Sequence, residues 1–225
     1  MKSKATVFVV DDDEALRRSL SRLMESVGFP AETYPTAQDF LDAYKPDRPG
    51  CLLLDLRLPG MNGLDLQEIL TEKRMTIPII IISAHGDVEQ AVRAMKNGAV
   101  DFIRKPYNGQ TLLDRIRLAI ELDARIREEE ARREAIDARL STLTPREHQV
   151  MNILVEGKTS KQIALKLGLS RKTVDIHRLH IMNKLQIDSV VDLVRIVRIH
   201  RSDVQADVHS HLRQSSRQPP PEATP

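Results

Sequence analysis

VFVVDDDE, residues 7–14, is an apolar run stopped by four acids. CLLLDL, residues 51–56, is a second apolar run, and it carries Asp55 near its end. A third run, 79–82, stops at Ser83, and a fourth, 100–103, is followed by Lys105-Pro106. These runs predict strands at Thr6–Val10, Cys51–Leu54, Ile79–Ile82 and Val100–Ile103, with a weaker strand near Glu32–Tyr34. The runs near 51 and 79 are apolar on both faces, as buried parallel strands must be. Helical periodicity fills the gaps, at Glu14–Val27, Ala37–Lys45, Gly63–Thr71, Val88–Lys96 and from Gly109 onward. Five βα units predict an α/β domain over 1–122, a doubly wound five-stranded parallel sheet of flavodoxin-like type. Ligands of such sheets gather at the carboxyl ends of the strands. There the pattern places Asp11, Asp12, Asp13, Asp55, Ser83 and Lys105.

Those residue types suit one chemistry. A carboxylate can accept a phosphoryl group as an acyl phosphate, and Asp55 is the candidate acceptor. The incoming group is anionic and the crevice is acidic, so a divalent cation is needed between them. Oxygen ligands suit Mg²⁺ (or Mn²⁺), with Asp12, Asp13, Asp55 and the backbone carbonyl of Arg57 as candidate ligands. Lys105 supplies a mobile positive charge and Ser83 a hydroxyl donor for phosphate oxygens. Once Asp55 is phosphorylated, Ser83 is expected to move toward it. Phe102 then fills the space behind, repacking the surface of the fourth helix, the fifth strand and the fifth helix. The plainer alternative is that Asp12 or Asp13 caps the helix beginning near Glu14.

Charge is unevenly spread over the 225 residues. Residues 1–122 hold 16 Lys/Arg against 18 Asp/Glu, whereas 141–202 hold 11 against 5. The basic half points to a nucleic-acid partner. The single cysteine, Cys51, lies in an apolar run and is expected buried, with no disulfide. The apolar stretch at the N-terminus is too short for a signal peptide or a membrane span, so a cytoplasmic protein without membrane contact is expected.

From Leu112 to about Arg139 no helix breaker occurs, and a linker helix is predicted over 112–140. Glu130 and Arg133 fall near its apolar stripe and argue against a long coiled-coil seam. Residues 141–202 read as a small all-α, four-helix domain. Thr144-Pro145-Arg146-Glu147 is a capping box opening a helix to Val155, and Thr159–Gln162 opens another to Leu167. Gly168 makes a turn, Ser170 caps Arg171–Leu185, and a fourth helix covers Ser189–His200. This is a helix-turn-helix pattern, which predicts double-stranded DNA as its partner. On the third helix Val174, Ile181 and Leu185 share a buried face, with His177 on the flank. Lys172, Asp175, Ile176 and Leu179 share the opposite face and are the candidate base readers. Lys158, Lys161, Arg171, Thr173, Arg178 and Lys184 are the candidate phosphate contacts. A protein-binding four-helix module is the alternative. Residues 203–225 are polar and proline-rich and are expected to be a disordered tail, with His209 and His211 no more than frayed.

The first domain resembles a bacterial response-regulator receiver, in Asp12-Asp13, Asp55, Ser83, Phe102, Lys105-Pro106 and the loop Leu58-Pro59-Gly60-Met61 with Gly63. The second resembles the LuxR-type DNA-binding domain, in LTPRE at 143–147, Gly157, Lys161–Ala164, Leu169-Ser170, Thr173-Val174, His177 and Lys184-Leu185. Their order is similar to the FixJ/StyR-like branch of the NarL/FixJ family of two-component response regulators. That resemblance implies a sensor histidine kinase as phosphoryl donor, a homodimer formed on phosphorylation, contact with RNA polymerase and activation of transcription. It implies no enzyme beyond the receiver's own phosphorylation and dephosphorylation. A small phosphohydrolase would be distinguished by rapid turnover on an external substrate.

Overall fold

The computed structural model describes residues 4–84 and 88–200. The tail, with His209 and His211, lies outside the described residues, as do His85, Gly86 and Asp87. The chain divides into two compact units within one helix, between Glu128 and Glu129.

In the first unit five parallel strands alternate with helices. The strands are β1 (Thr6–Val10), β2 (Ala31–Tyr34), β3 (Gly50–Asp55), β4 (Ile79–Ser83) and β5 (Asp101–Arg104). The helices are α1 (Glu14–Ser26), α2 (Ala37–Ala43), α3 (Gly63–Glu72), α4 (Val88–Lys96) and α5 (Gly109–Leu140). The sheet order is β2-β1-β3-β4-β5, so the chain reverses direction across the sheet between β1 and β3. Alternation sends the side chains of each strand to two cores. Phe8, Val10, Leu52, Leu54, Ile79 and Ile81 meet Phe40 of α2, Leu66 and Leu70 of α3 and Ala94 of α4. Val7, Val9, Cys51, Leu53, Ile80 and Ile82 meet Leu20 and Met24 of α1 and Leu112, Ile116 and Ala119 of α5.

The element boundaries differ from expectation by one or two residues, each for a local reason. Helix α2 stops at Ala43, because Pro46 forces the chain before it toward extended backbone and Tyr44 is already there, at φ −73° and ψ 133°. Strand β3 starts at Gly50, where a Cβ would lie 1.9 Å from the Thr6 carbonyl oxygen. Only glycine lets β1 and β3 approach so closely. Gly63 does the same after β3. A Cβ there would lie 2.3 Å from the Asp55 carbonyl oxygen, so α3 can begin directly against the strand end that carries Asp55.

The second unit contains α6 (Pro145–Leu154), α7 (Ser160–Leu167), α8 (Arg171–Leu185) and a further helix, α9, over 190–200. Thr144 and Thr159 each close a capping box, with Glu147 and Gln162 respectively, and Ser170 caps α8. Gly168, at φ 64°, makes the turn between α7 and α8. The core joins Val150, Ile163, Val174, Ile181, Leu185 and Leu193 with Ile136 and Leu140 from the last turns of α5. One helix therefore supplies buried residues to both units.

Candidate functional site: an acidic crevice and a recognition helix

Strand register builds the crevice. Val10 pairs with Leu54, so the next step sets Asp11 beside Asp55 on the same face of the sheet. Both are buried, at 3% and 7% exposure. Lys105 reaches in from the end of β5, and its Nζ donates to Asp11 Oδ2 at 2.7 Å and to Asp55 Oδ1 at 2.8 Å. The remaining carboxylate oxygens are also held. Asp55 Oδ2 accepts from the Arg57 amide at 2.6 Å, and Asp11 Oδ1 from the Asp13 amide at 2.9 Å. Arg17 Nη1 donates to the Asp11 carbonyl at 2.7 Å and fixes the turn between β1 and α1. The Lys105 amide donates to the Ser83 carbonyl at 2.8 Å, which ties the ends of β4 and β5 together.

The resulting crevice, about 620 Å³, is lined by the three consecutive aspartates, Asp55, Arg57, Ser83 and Lys105, with Tyr107 at its edge. Burial raises the Asp55 carboxyl above its ordinary pKa, and the Lys105 ammonium and Arg57 amide offset only part of that rise. Burial also opposes the charged form of Lys105, but its bonds to Asp11 and Asp55 outweigh this and raise its pKa.

The acidic pair differs from the expected one. Asp13 borders the crevice, but its Oδ1 accepts from the Ala15 and Leu16 amides and caps α1, as the plainer alternative supposed. The carboxylate set against Asp55 is that of Asp11, and Asp12 is exposed at the rim. Period-two counting from the buried Val7 and Val9 through Asp11 was the signal that could have found it.

Phe102 is half-buried on β5, paired with Ile81, and Ser83 lies two residues farther along β4 on the same face. With Val88, Ala91, Val92, Met95, Lys96 and Arg104, Phe102 lines a groove of about 610 Å³ between α4 and β5. Val88 is 80% exposed there, and Val92 and Met95 each 46%.

On α8, Val174, Ile181 and Leu185 are buried, while Lys172, Asp175, Ile176 and Leu179 are all exposed along the other face. Lys158, Lys161 and Arg171 are exposed as well. Arg171 pairs with Asp175 at 3.8 Å, and three further expected phosphate contacts make hydrogen bonds within the unit. Thr173 Oγ1 meets Ser170 Oγ at 2.7 Å, beside the helix cap. Arg178 donates to Ser160 Oγ at 2.8 Å and braces α8 against the start of α7. Lys184 is the most strongly engaged of the three. Its ammonium lies 2.7 Å from the buried Glu147 carboxylate and 3.1 Å from the Thr142 carbonyl. A buried carboxylate must be paired, and Lys184 supplies the charge that Glu147 needs. Arg146 donates to the Leu167 carbonyl at 2.8 Å and secures the end of α7 before the turn. His177 sits half-buried on the flank, with Nδ1 buried and without a hydrogen-bond partner.

Burial pushes the Glu147 carboxyl up, but Lys184 and the Thr144 amide and hydroxyl outweigh it and lower the pKa from 4.5 to about 2. A depressed carboxyl stabilises the fold above its unfolded pKa, and that contribution is lost as pH falls from about 4.5 through about 2. Glu147→Gln is expected to destabilise the second unit by about 2 kcal/mol at neutral pH. In thermal melts across the acid range, the gap between variant and wild type is expected to close toward pH 2. A gap independent of pH would show that the charge of Glu147 does not matter.

Among the described residues no helix is long and apolar enough to cross a membrane. The response regulator receiver domain family matches residues 7–117, and the luxR family of bacterial regulatory proteins matches residues 141–197. Nodulation protein W of Bradyrhizobium diazoefficiens is 45% identical over 194 residues, 86% of either chain. The solved structure of the response regulator StyR superposes with a TM-score of 0.81 at 45% identity, over 87% of this chain and 99% of that one. Full-length FixJ from B. japonicum gives 0.55 at 38% identity, over 89% and 99%. The crevice sits at the strand ends of the receiver match and the exposed α8 face within the luxR match. The chain thus belongs to the NarL/FixJ family of two-component response regulators, with a receiver domain and a LuxR-type DNA-binding domain.

Proposed function

We propose that Asp55 accepts a phosphoryl group from a sensor histidine kinase, and that the phosphorylated chain dimerises, binds paired half-sites in promoter DNA and activates transcription in the cytoplasm. An Asp55 carboxylate oxygen attacks phosphorus, the phosphorus–nitrogen bond of the kinase phosphohistidine breaks, and the leaving imidazole keeps the electron pair. The observation that carries this reading is the meeting of Asp11, Asp55 and Lys105, which lie 94 and 50 residues apart in pairs with Lys105.

The donor set fits a hard divalent cation. Two buried carboxylates share a single ammonium, and a third carboxylate stands at the rim. Among the described residues no group of three or more His, Cys, Asp or Glu forms a metal cage. Mg²⁺ needs none, since it binds through one or two carboxylates, phosphate oxygens and water. Asp11, Asp12, Asp55 and the Arg57 carbonyl would hold it, with Asp13 left to the helix cap. Bound there, Mg²⁺ (or Mn²⁺) would screen the charge between the carboxylates and the incoming phosphoryl group.

Lys105 now bridges Asp11 and Asp55 and must turn to a phosphoryl oxygen when one arrives. Ser83 donates to another, and Phe102 follows into the space that Ser83 leaves. This repacks the α4–β5 groove, the apolar surface proposed to join two copies. On DNA, Lys172 and Asp175 read base edges, Ile176 and Leu179 touch thymine methyls, and Lys158, Lys161 and Arg171 hold phosphates. RNA polymerase is the expected partner at the promoter.

Selection from randomised duplexes tests the DNA half. Lys172→Ala and Asp175→Ala are expected to change the recovered sequence, each relaxing preference by about 1–3 kcal/mol at one position. Arg171→Ala is expected to weaken binding to all sequences alike and to flatten the salt dependence. Unchanged preference in the first two variants would place another face of α8 in the groove. No duplex binding at low salt would favour the protein-binding module instead.

A further inference from the structure

Between Ala119 and Ile136, α5 buries a single side chain, and it is a carboxylate. Asp123 is 1% exposed and continues the stripe of Leu112, Ile116 and Ala119. Its Oδ2 accepts from the Gly50 amide, at the start of β3, at 2.9 Å and from Arg127 Nε at 2.8 Å. Arg127 Nη2 donates in turn to the Arg48 carbonyl at 2.6 Å. The Arg48 guanidinium lies 5.0 Å from the centre of the Phe8 ring and pairs with Glu32. From Glu128 to Ala135 every side chain is exposed. The network is therefore the last hold of the first unit on the helix.

Replacing a buried ion pair by apolar residues is often neutral or stabilising, so stability alone does not call for this network. An apolar contact tolerates rotation and sliding. A buried carboxylate does not, because leaving its donors is costly. The network thus fixes one rotation and one register of α5 at the point where the helix leaves the sheet.

We propose that Asp123 and Arg127 form a clamp that ends the receiver's hold on α5 at a fixed position, and that the gain in DNA binding on phosphorylation depends on it. This rests on the reading that phosphorylated receivers pair and offer two DNA-binding domains to paired half-sites. The second half-site is then filled within the complex, and its effective concentration falls as the loosely held tether lengthens. With the clamp closed, the stretch without buried support starts at Glu128. With the clamp open, it starts just after Ile120.

The test uses the full chain as wild type, as Asp123→Asn and as the milder Arg127→Ala, which keeps the bond to Gly50. The DNA probe is the duplex that the phosphorylated wild type selects from a randomised pool. Both variants are expected to take label from acetyl phosphate and Mg²⁺ at the wild-type rate, since Gly50 and Asp55 lie at opposite ends of β3. Amide exchange over 120–127 is expected to quicken about tenfold. The phosphorylation-dependent gain in affinity is expected to fall about fivefold. Unchanged exchange over 120–127 in both variants overturns the clamp, and so does faster exchange with the full gain retained. If the wild type itself takes no label or gains no affinity, the phosphorylation reading has failed, and exchange over 120–127 alone decides the clamp.

Discussion

Asp55→Asn is expected to take up no label from radiolabelled acetyl phosphate and Mg²⁺, while the wild type is labelled stably enough to be isolated. The side chain is nearly isosteric, so the Arg57 amide keeps an oxygen acceptor at the Asp55 Oδ2 position. What is removed is the nucleophilic charge, together with the acceptor that Asp55 Oδ1 offers Lys105, whose bond to Asp11 remains. The loss is expected to be complete rather than partial. The variant is also expected to fold normally. Burial raises the Asp55 pKa, so the charged carboxylate costs the native state something that asparagine does not. A thermal midpoint at or above that of the wild type, together with no label, is the expected pair of results. Wild-type labelling in the variant would move the acceptor elsewhere.

The second large effect is expected in the groove between α4 and β5. Val92 and Met95 stand exposed on α4 beside Phe102, in a groove whose other lining side chains are largely apolar. If two phosphorylated receivers meet there, a carboxylate at either position must leave water, and pairing with Lys96 or Arg104 offsets only part of that cost. Val92→Glu or Met95→Glu is then expected to weaken self-association of the phosphorylated chain about a hundredfold, close to 3 kcal/mol. Labelling of Asp55 should be untouched, because neither side chain lines the acidic crevice. Sedimentation of the labelled proteins reads this directly. A variant that dimerises like the wild type would place the contact on another face.

The sheet was legible because its signals are local. Each strand is a short apolar run, each helix a periodic stretch, and Asp55, Ser83 and Lys105 stand where runs stop. The helix-turn-helix was legible for the same reason, through Thr144, Thr159 and Ser170 at three helix starts and Gly168 at the turn. What local pattern could not give was the partner of each charge. Asp13 and Asp11 are both acids after a strand and share its parity, and only their distance from the strand end separates the cap from the residue beside Asp55. Lys184 looks like a free cation on a basic helix until Glu147, 37 residues earlier, is folded against it. Asp123 reads as a polar interruption of an apolar stripe. Its donors, Gly50 and Arg127, lie 73 residues before it and four residues after it. A buried polar group is satisfied by whatever the fold brings to it, and sequence spacing carries no record of that.

The central claim is that occupancy of one carboxylate strengthens both self-association and DNA binding. Analytical ultracentrifugation of the full chain with a fluorescent duplex tracer reads both at once, with and without phosphorylation at matched salt. The expected result is a shift from monomer toward dimer on phosphorylation, with the tracer moving into the dimer at protein concentrations where the unphosphorylated chain leaves it free. Identical boundaries for protein and tracer in the two states, with label on Asp55 verified, would contradict the account.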